Sequence, residues 1–204
     1  MIYLQDFTSI NVNLNADGGL VVVGREILSK LIELKNDKNI VGVYFTHYSQ
    51  TEPPHIHIGF RYINWKEIES KLTPFFDKST YRTNDFIRDI QKCPPTDGKH
   101  HLLPYDKGVI SDYLVCQSFD WLLQLEKEIP ESERDAERIA YWFLKNKNKI
   151  FAEVVKIYNS EFNEQEIFWV LERFVHHLLN TIQHNPSNEL WILTYLSGSG
   201  FFKE

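Results

Sequence analysis

Cysteine is scarce in this sequence: Cys93 and Cys116 are the only two in 204 residues, and they form no C-x-x-C pair. That excludes a zinc ribbon and a disulfide framework, and it fits a reducing compartment. Basic charge is also short. Lys and Arg total 22 against 28 Asp and Glu, a formal charge of −6. Broad affinity for nucleic acid usually needs a basic surface, so the balance argues against it. No apolar run reaches the length of a membrane span. The opening Met1-Ile-Tyr-Leu-Gln-Asp6 lacks a basic segment followed by a long apolar one. The expectation is a cytoplasmic protein with no membrane partner. Familiar catalytic signatures are missing too: G-x-S-x-G, G-x-x-x-x-G-K-[ST], G-x-G-x-x-G opening a helix, and H-E-x-x-H. What the chain does have is material for a core. It is 43% hydrophobic and 14% aromatic, far from a disordered composition.

The most informative stretch runs from Val41 to Arg61 and reads as two β-strands with a short connection. The first, Val41 to Tyr48, is β-branched and aromatic; the second, His55 to Tyr62, alternates. Pro53 and Pro54 cannot donate to a ladder and mark the turn. In the second strand Ile56, Ile58 and Phe60 share one face, and His55, His57 and Gly59 the other. Pairing of the strands is expected to bring His47 close to His55, crowding three histidines at one end of the hairpin. Imidazoles bind divalent metals, move protons near neutral pH, or hold anions when protonated. The plainer reading is three half-buried strand residues bonded to backbone or water.

Before the hairpin, Ile2 and Leu4, then Ile10, Val12 and Leu14, form two alternating patches; the second is expected to be a strand, ended by Asn15-Ala-Asp-Gly-Gly19. Leu20-Val-Val-Val23 has strand composition, but Ile27, Leu28, Leu31, Ile32 and Leu34 follow a helical period. A helix from Leu20 or Gly24 to Lys35 is predicted. After the hairpin, Asn64 is placed to cap a helix through Trp65, Ile68, Leu72 and Phe75, with Glu67 as its capping-box partner. This β-α-β-β-α order predicts an α+β fold, with helices on one face of an antiparallel sheet.

Residues 77–108 are expected to separate a sheet-bearing half (1–108) from a helical half (109–204) within one compact domain. Asp85 to Ile90 reads as a helical turn, Cys93-Pro-Pro-Thr-Asp-Gly98 as a loop, and at least one of His100 and His101 as an exposed loop residue. Beyond it, Val115 to Leu125 is one amphipathic helix. Pro130-Glu-Ser-Glu133 opens a second, carried by Ile139, Ala140, Phe143 and Leu144 up to Asn146-Lys-Asn-Lys149, and Phe151 to Tyr158 is a third. Asn163-Glu-Gln-Glu166 caps a fourth, which continues through Leu179. Asn185-Pro186 ends it, and Glu189 to Leu196 is the last. The closing Ser197-Gly-Ser-Gly-Phe-Phe202 reads as a frayed tail. On the fourth helix His176 and Asn180 lie four apart, hence on one face. Its apolar side holds Val175, Leu178 and Leu179, so His176 or His177 sits at the core margin: a satisfied structural histidine, or an acid or base held in one tautomer.

As a whole the chain resembles the small C-terminal domain of lantibiotic dehydratases and its stand-alone relatives, the thiopeptide-type bacteriocin biosynthesis proteins. Val43-Tyr-Phe-Thr-His-Tyr-Ser-Gln50 and Pro54-His-Ile-His-Ile-Gly-Phe-Arg61 fit that family's segment "wFfiRYxDPxpHlRlRf". Leu103-Pro-Tyr-Asp106 fits its "TYxxExxRYG" region, and His176 with Asn180 its "HMxxNR" helix. Asn188 to Tyr195 matches its closing helix in style. The resemblance implies a tailoring enzyme or subunit that eliminates glutamate from glutamylated Ser or Thr, or closes a ring, on a ribosomally made peptide. It implies a precursor peptide and a partner biosynthetic enzyme as partners, and no cofactor; a homo-oligomer stays open. The implied catalytic residues are His55, His57 and His176, with Arg61, His47, Tyr48 and Asn180 binding substrate. The chain departs from the family at His57 and Thr181, where it has arginine; Arg61 lies further along the same strand. A non-catalytic peptide- or partner-binding domain is a further alternative.

A second resemblance is to HUH endonucleases, which share the His-hydrophobic-His strand of Pro54-His-Ile-His-Ile-Gly-Phe60 and a motif like Phe45-Thr-His-Tyr-Ser-Gln50. It implies His55 and His57 holding Mg²⁺ or Mn²⁺ against a scissile phosphate of single-stranded DNA, with Tyr141 as nucleophile and Lys145 one turn on. The acidic balance of the chain counts against it.

Overall fold

The computed structural model describes residues 6–48, 51–93, 119–158, 163–182 and 186–202. Expectations placed on Ile2, Leu4, the 94–108 loop with His100, His101 and Leu103–Asp106, and Val115 and Cys116 lie outside them. The chain is α+β and divides into two compact units, residues 1–100 and 101–204.

Unit 1 is an antiparallel sheet with two helices. Its elements are β1 (Asp6–Leu14), α1 (Gly19–Lys35), β2 (Ile40–Tyr48), β3 (His55–Tyr62), α2 (Trp65–Phe76) and β4 (Ile87–Cys93). The four described strands stand in the order β2-β3-β1-β4. The β-α-β-β-α order is the one the sequence predicts. α1 takes in Leu20-Val-Val-Val23 because Leu20 and Val23 extend the buried stripe of Gly24, Ile27, Leu31 and Leu34. A Cβ on Gly19 would lie 3.2 Å from that of Phe86, a contact tight enough that Phe86 would have to give by a few tenths of an ångström. Asn64 caps α2 as expected, its Oδ1 accepting from the Lys66 N–H at 3.1 Å. Ile68, Leu72 and Phe75 of α2 are buried, and Phe75 meets Phe60 of β3 edge-on, with ring centroids 5.1 Å apart.

Residues Asp85 to Ile90 do not form the helical turn expected of them. Only a short 3₁₀ turn, Asn84–Phe86, precedes β4, which pairs antiparallel with β1 from Leu14↔Ile87 to Ser9↔Cys93, with an irregularity next to Leu14. Ile87 and Ile90 are three apart and mimic a helical period, but their partners lie over seventy residues upstream. The Asn15 side-chain amide donates to the Asp85 carbonyl at 2.8 Å, and the Asn15 N–H to the Phe86 carbonyl at 3.0 Å, which fixes the entry to β4.

Unit 2 is helical: α3 (119–128), α4 (Ala136–Tyr158), α5 (Glu164–Thr181) and α6 (Pro186–Gly198). The second and third helices read from the sequence are one, α4. Asn146, expected to interrupt it, is 3% exposed. Its side-chain amide donates to the Trp142 carbonyl one turn earlier at 2.9 Å, so the polar group is satisfied inside the helix. α5 opens on a full capping box: Asn163 Oδ1 accepts from the Glu166 N–H, and the Glu166 carboxylate accepts from the Asn163 N–H, both at 3.0 Å.

The closing residues are no frayed tail. Phe201 and Phe202 are 0% and 6% exposed. Gly200 takes a left-handed φ of 72°; its N–H donates to the Ser197 carbonyl at 3.1 Å, and the Phe201 N–H to the Leu196 carbonyl at 2.9 Å. That double bond with a glycine pivot is a Schellman cap, and it turns both phenylalanines back into the core. Phe201 meets Phe143 of α4, and Phe202 meets Phe168 of α5.

Candidate functional site

Residues directly opposite each other in an antiparallel pair project to one face, so the register sorts every side chain of the sheet. Ile56, Ile58 and Phe60 of β3 lie opposite Val12, Ile10 and Thr8 of β1. They are fully buried on the core face, which α1 and α2 share. The other face is polar. Across its first row run Tyr48, His55, Asn13 and Asp89; across its second Thr46, His57, Asn11 and Gln91. Arg61, four residues beyond His57, is on that face too and only 4% exposed.

Each imidazole on this face has a hydrogen-bond partner at Nδ1. The His57 Nδ1–H donates to Asn11 Oδ1 at 2.6 Å, which leaves Nε2 as the basic nitrogen. Cys93 Sγ lies 3.8 Å from the same Nδ1. Burial pushes the Cys93 thiol up, against a smaller pull from the Ser9 hydroxyl. A neutral thiol beside a nitrogen that already carries its hydrogen is not an activated nucleophile. His55 stacks on Tyr48 with ring centroids 4.8 Å apart. Its Nδ1 is 3.0 Å from Thr51 Oγ1 and 3.4 Å from the Pro53 carbonyl, so here too Nε2 is the basic edge.

Burial lowers the His55 pKa from the ordinary 6.5, and the Pro53 carbonyl offsets only part of that. The unfolded chain takes up this proton near pH 6.5, the folded chain only at lower pH, so acidification favours unfolding. Unit 1 is expected to lose stability as pH falls from 7 through 6.5, until folded His55 itself titrates. Urea midpoints measured across that range should slope less in His55→Gln. An unchanged slope would remove His55 as the cause.

His47 does not join the other two. It pairs with Ile56, not His55, and so projects to the core face, 8% exposed, with its ring edge-on to Phe45 at 5.4 Å. The expected cluster of three histidines is a pair, and the reason is the two-residue period of a strand: neighbours along the chain point apart. Tyr48 is on the polar face as expected.

In unit 2, His176 and Asn180 are one turn apart on α5. Asn180 Nδ2 donates to His176 Nε2 at 3.0 Å. The His176 Nδ1–H donates to the Glu189 carboxylate on α6, a partner the sequence reading missed. Its one local signal was an acid in the first turn of a helix beginning at Pro186. Tyr141 is 69% exposed on α4. It borders a groove of about 370 Å³, where Arg138 pairs with Glu133, and Lys145 with Glu128 at 3.3 Å. Thr181 is 8% exposed and its hydroxyl donates back to the His177 carbonyl at 2.7 Å.

Among the described residues, no three His, Cys, Asp or Glu side chains are placed to share a metal ion. The two imidazoles of β3 have no third ligand of that kind among the described residues. No helix among the described residues is long and apolar enough to cross a membrane.

No family model matches this sequence, and no curated protein does. Among solved structures, the crystal structure of TsrL is similar over 97% of this chain and 69% of that one, with 10% sequence identity and a TM-score of 0.36.

Proposed function

We propose that this chain is a tailoring enzyme or enzyme subunit that acts on a ribosomally made, post-translationally modified peptide, by elimination or ring closure. The observation that carries the reading is the polar face of β3, where two imidazoles with basic Nε2 edges share a face with the Arg61 guanidinium. The residues that do so are those of the motif resembling lantibiotic dehydratase small domains.

An elimination needs two things that such a face supplies. A base takes the Cα proton of an O-acylated Ser or Thr, and the C–H electron pair becomes the Cα=Cβ bond. The Cβ–O bond breaks, and its pair leaves on the departing carboxylate. His57, locked with its hydrogen on Nδ1, suits the base; Arg61 suits the departing carboxylate, which a guanidinium grips through two parallel hydrogen bonds. His55 and Tyr48 form the adjoining wall, where a peptide side chain can stack.

The test uses two synthetic peptides: one with an O-glutamyl serine, and one with two dehydroalanines that ring closure would join. Mass spectrometry on the full chain should find glutamate release or a cyclised product. His57→Gln should lower the rate by about a hundredfold, the usual scale for removal of a general base. Turnover of neither peptide by the wild-type protein would sink the reading, and equal rates in wild type and His57→Gln would remove the site.

A further inference from the structure

We infer that Glu189 is the positioning residue for His176, and that the two form a proton-transfer pair carried entirely by unit 2. The inference rests on the peptide-tailoring reading but moves the base from His57 to His176, so a rate that falls in Glu189→Gln and not in His57→Gln decides for it.

The hydrogen bonds run in one direction along the group. A carboxylate can only accept, so the His176 Nδ1 facing Glu189 carries the hydrogen, and Nε2 holds the lone pair that Asn180 Nδ2 occupies at 3.0 Å. Exposure is uneven in the sense that catalysis needs. The imidazole is 45% exposed while the Glu189 side chain is 13% exposed. Among the described residues no Lys or Arg forms an ion pair with Glu189. A largely buried carboxylate beside an imidazole supplies the counter-charge when that ring becomes imidazolium.

A purely structural staple between α5 and α6 would need neither the open ring nor a donor on Nε2. Asn180 occupies the place a substrate takes: a single-turn amide on a helix surface can yield to an incoming group at the cost of one exposed hydrogen bond. In the reaction, Nε2 takes the Cα proton of the acylated peptide residue. The C–H pair enters the new double bond, the acyl carboxylate leaves with the Cβ–O pair, and Glu189 stays ionised beside the imidazolium.

Three readouts test it on the full chain. With the O-glutamyl serine peptide, Glu189→Gln should lower kcat on the order of a hundredfold while leaving KM within about twofold, and Glu189→Asp should recover part of the loss. In long-range nitrogen–proton NMR spectra, His176 should carry its hydrogen on Nδ1 in the wild type and on Nε2 in Glu189→Ala. His176 should also react several-fold more slowly with diethyl pyrocarbonate in Glu189→Ala, a loss of nucleophilicity that a staple would not produce. Unchanged kcat in Glu189→Gln overturns the inference, as does an Nε2–H form in the wild type. Should the wild-type protein convert no peptide, the tailoring reading fails alone, and the NMR and reactivity results still decide for or against Glu189.

Discussion

Ile58→Asp should leave unit 1 unfolded at neutral pH, while His57→Asn, one residue away, should leave it folded. Ile58 is fully buried on a strand with a partner on each side, opposite Ile10 of β1 and Phe45 of β2. Losing its burial costs roughly 1.5–3 kcal/mol. An unpaired carboxylate left among aliphatic side chains adds several kcal/mol more. Whole domains are stable by only about 5–15 kcal/mol, so the sum removes most or all of it. His57 is on the other face of the same strand, half-buried among polar groups, and an amide in its place can still bond Asn11. Circular dichroism and amide NMR spectra of the two variants would check the contrast. A folded Ile58→Asp protein would mean that the register is shifted by one residue.

Phe201→Ala should destabilise unit 2 by about 3–5 kcal/mol, the usual cost of emptying a buried phenylalanine site. Such a loss is unusual just after a Ser-Gly-Ser-Gly run, a composition that commonly frays. Here the side chain is 0% exposed, edge-on to Phe143 at 5.9 Å and to Phe202 at 5.1 Å. For a unit of this size a loss of that order lowers the melting temperature by more than about ten degrees. Leu190→Ala serves as the control, because Leu190 is 69% exposed and surface changes stay within about 0.5 kcal/mol. Equal melting of the two variants would show that the Schellman turn does not hold the phenylalanines in the core.

The elements that sequence alone made legible are those whose causes are local. The hairpin follows from two β-rich runs around Pro53 and Pro54. α1 and α2 follow from apolar residues at helical spacing, and α5 from Asn163 and Glu166, which cap it by contacts three residues apart. The misreadings of β4 and His47 concern information stored elsewhere in the chain. β4 has only two apolar residues of its own and is a strand because β1 is there to pair with it. His47 changes face with a single-residue choice of register that the hairpin's composition does not encode. Asn146 and the Ser197–Phe202 segment carry residues typical of breaks, yet both are satisfied by specific hydrogen bonds within the folded unit. The site divides in the same way. Alternation placed His55, His57 and Arg61 together, and helical spacing placed His176 with Asn180. Asn11 and Cys93 come from other elements and carry no mark of it in the sequence; Glu189 is marked only as an acid in the first turn of α6.

The position of β1 has a consequence for how the chain is made. Ser9 pairs with Gly59 on one side and with Cys93 on the other. During synthesis at about 5–20 residues per second, the first strand therefore leaves the ribosome seconds before its second neighbour exists. In that interval β2 and β3 can zip together and recruit β1, but one rim of the strand stays bare. Among the described strands β4 is the last to be made and has the least apolar character. Arg88, Asp89, Gln91 and Lys92 make that late arrival a soluble one, and unattractive to a neighbouring nascent chain in search of a strand to extend.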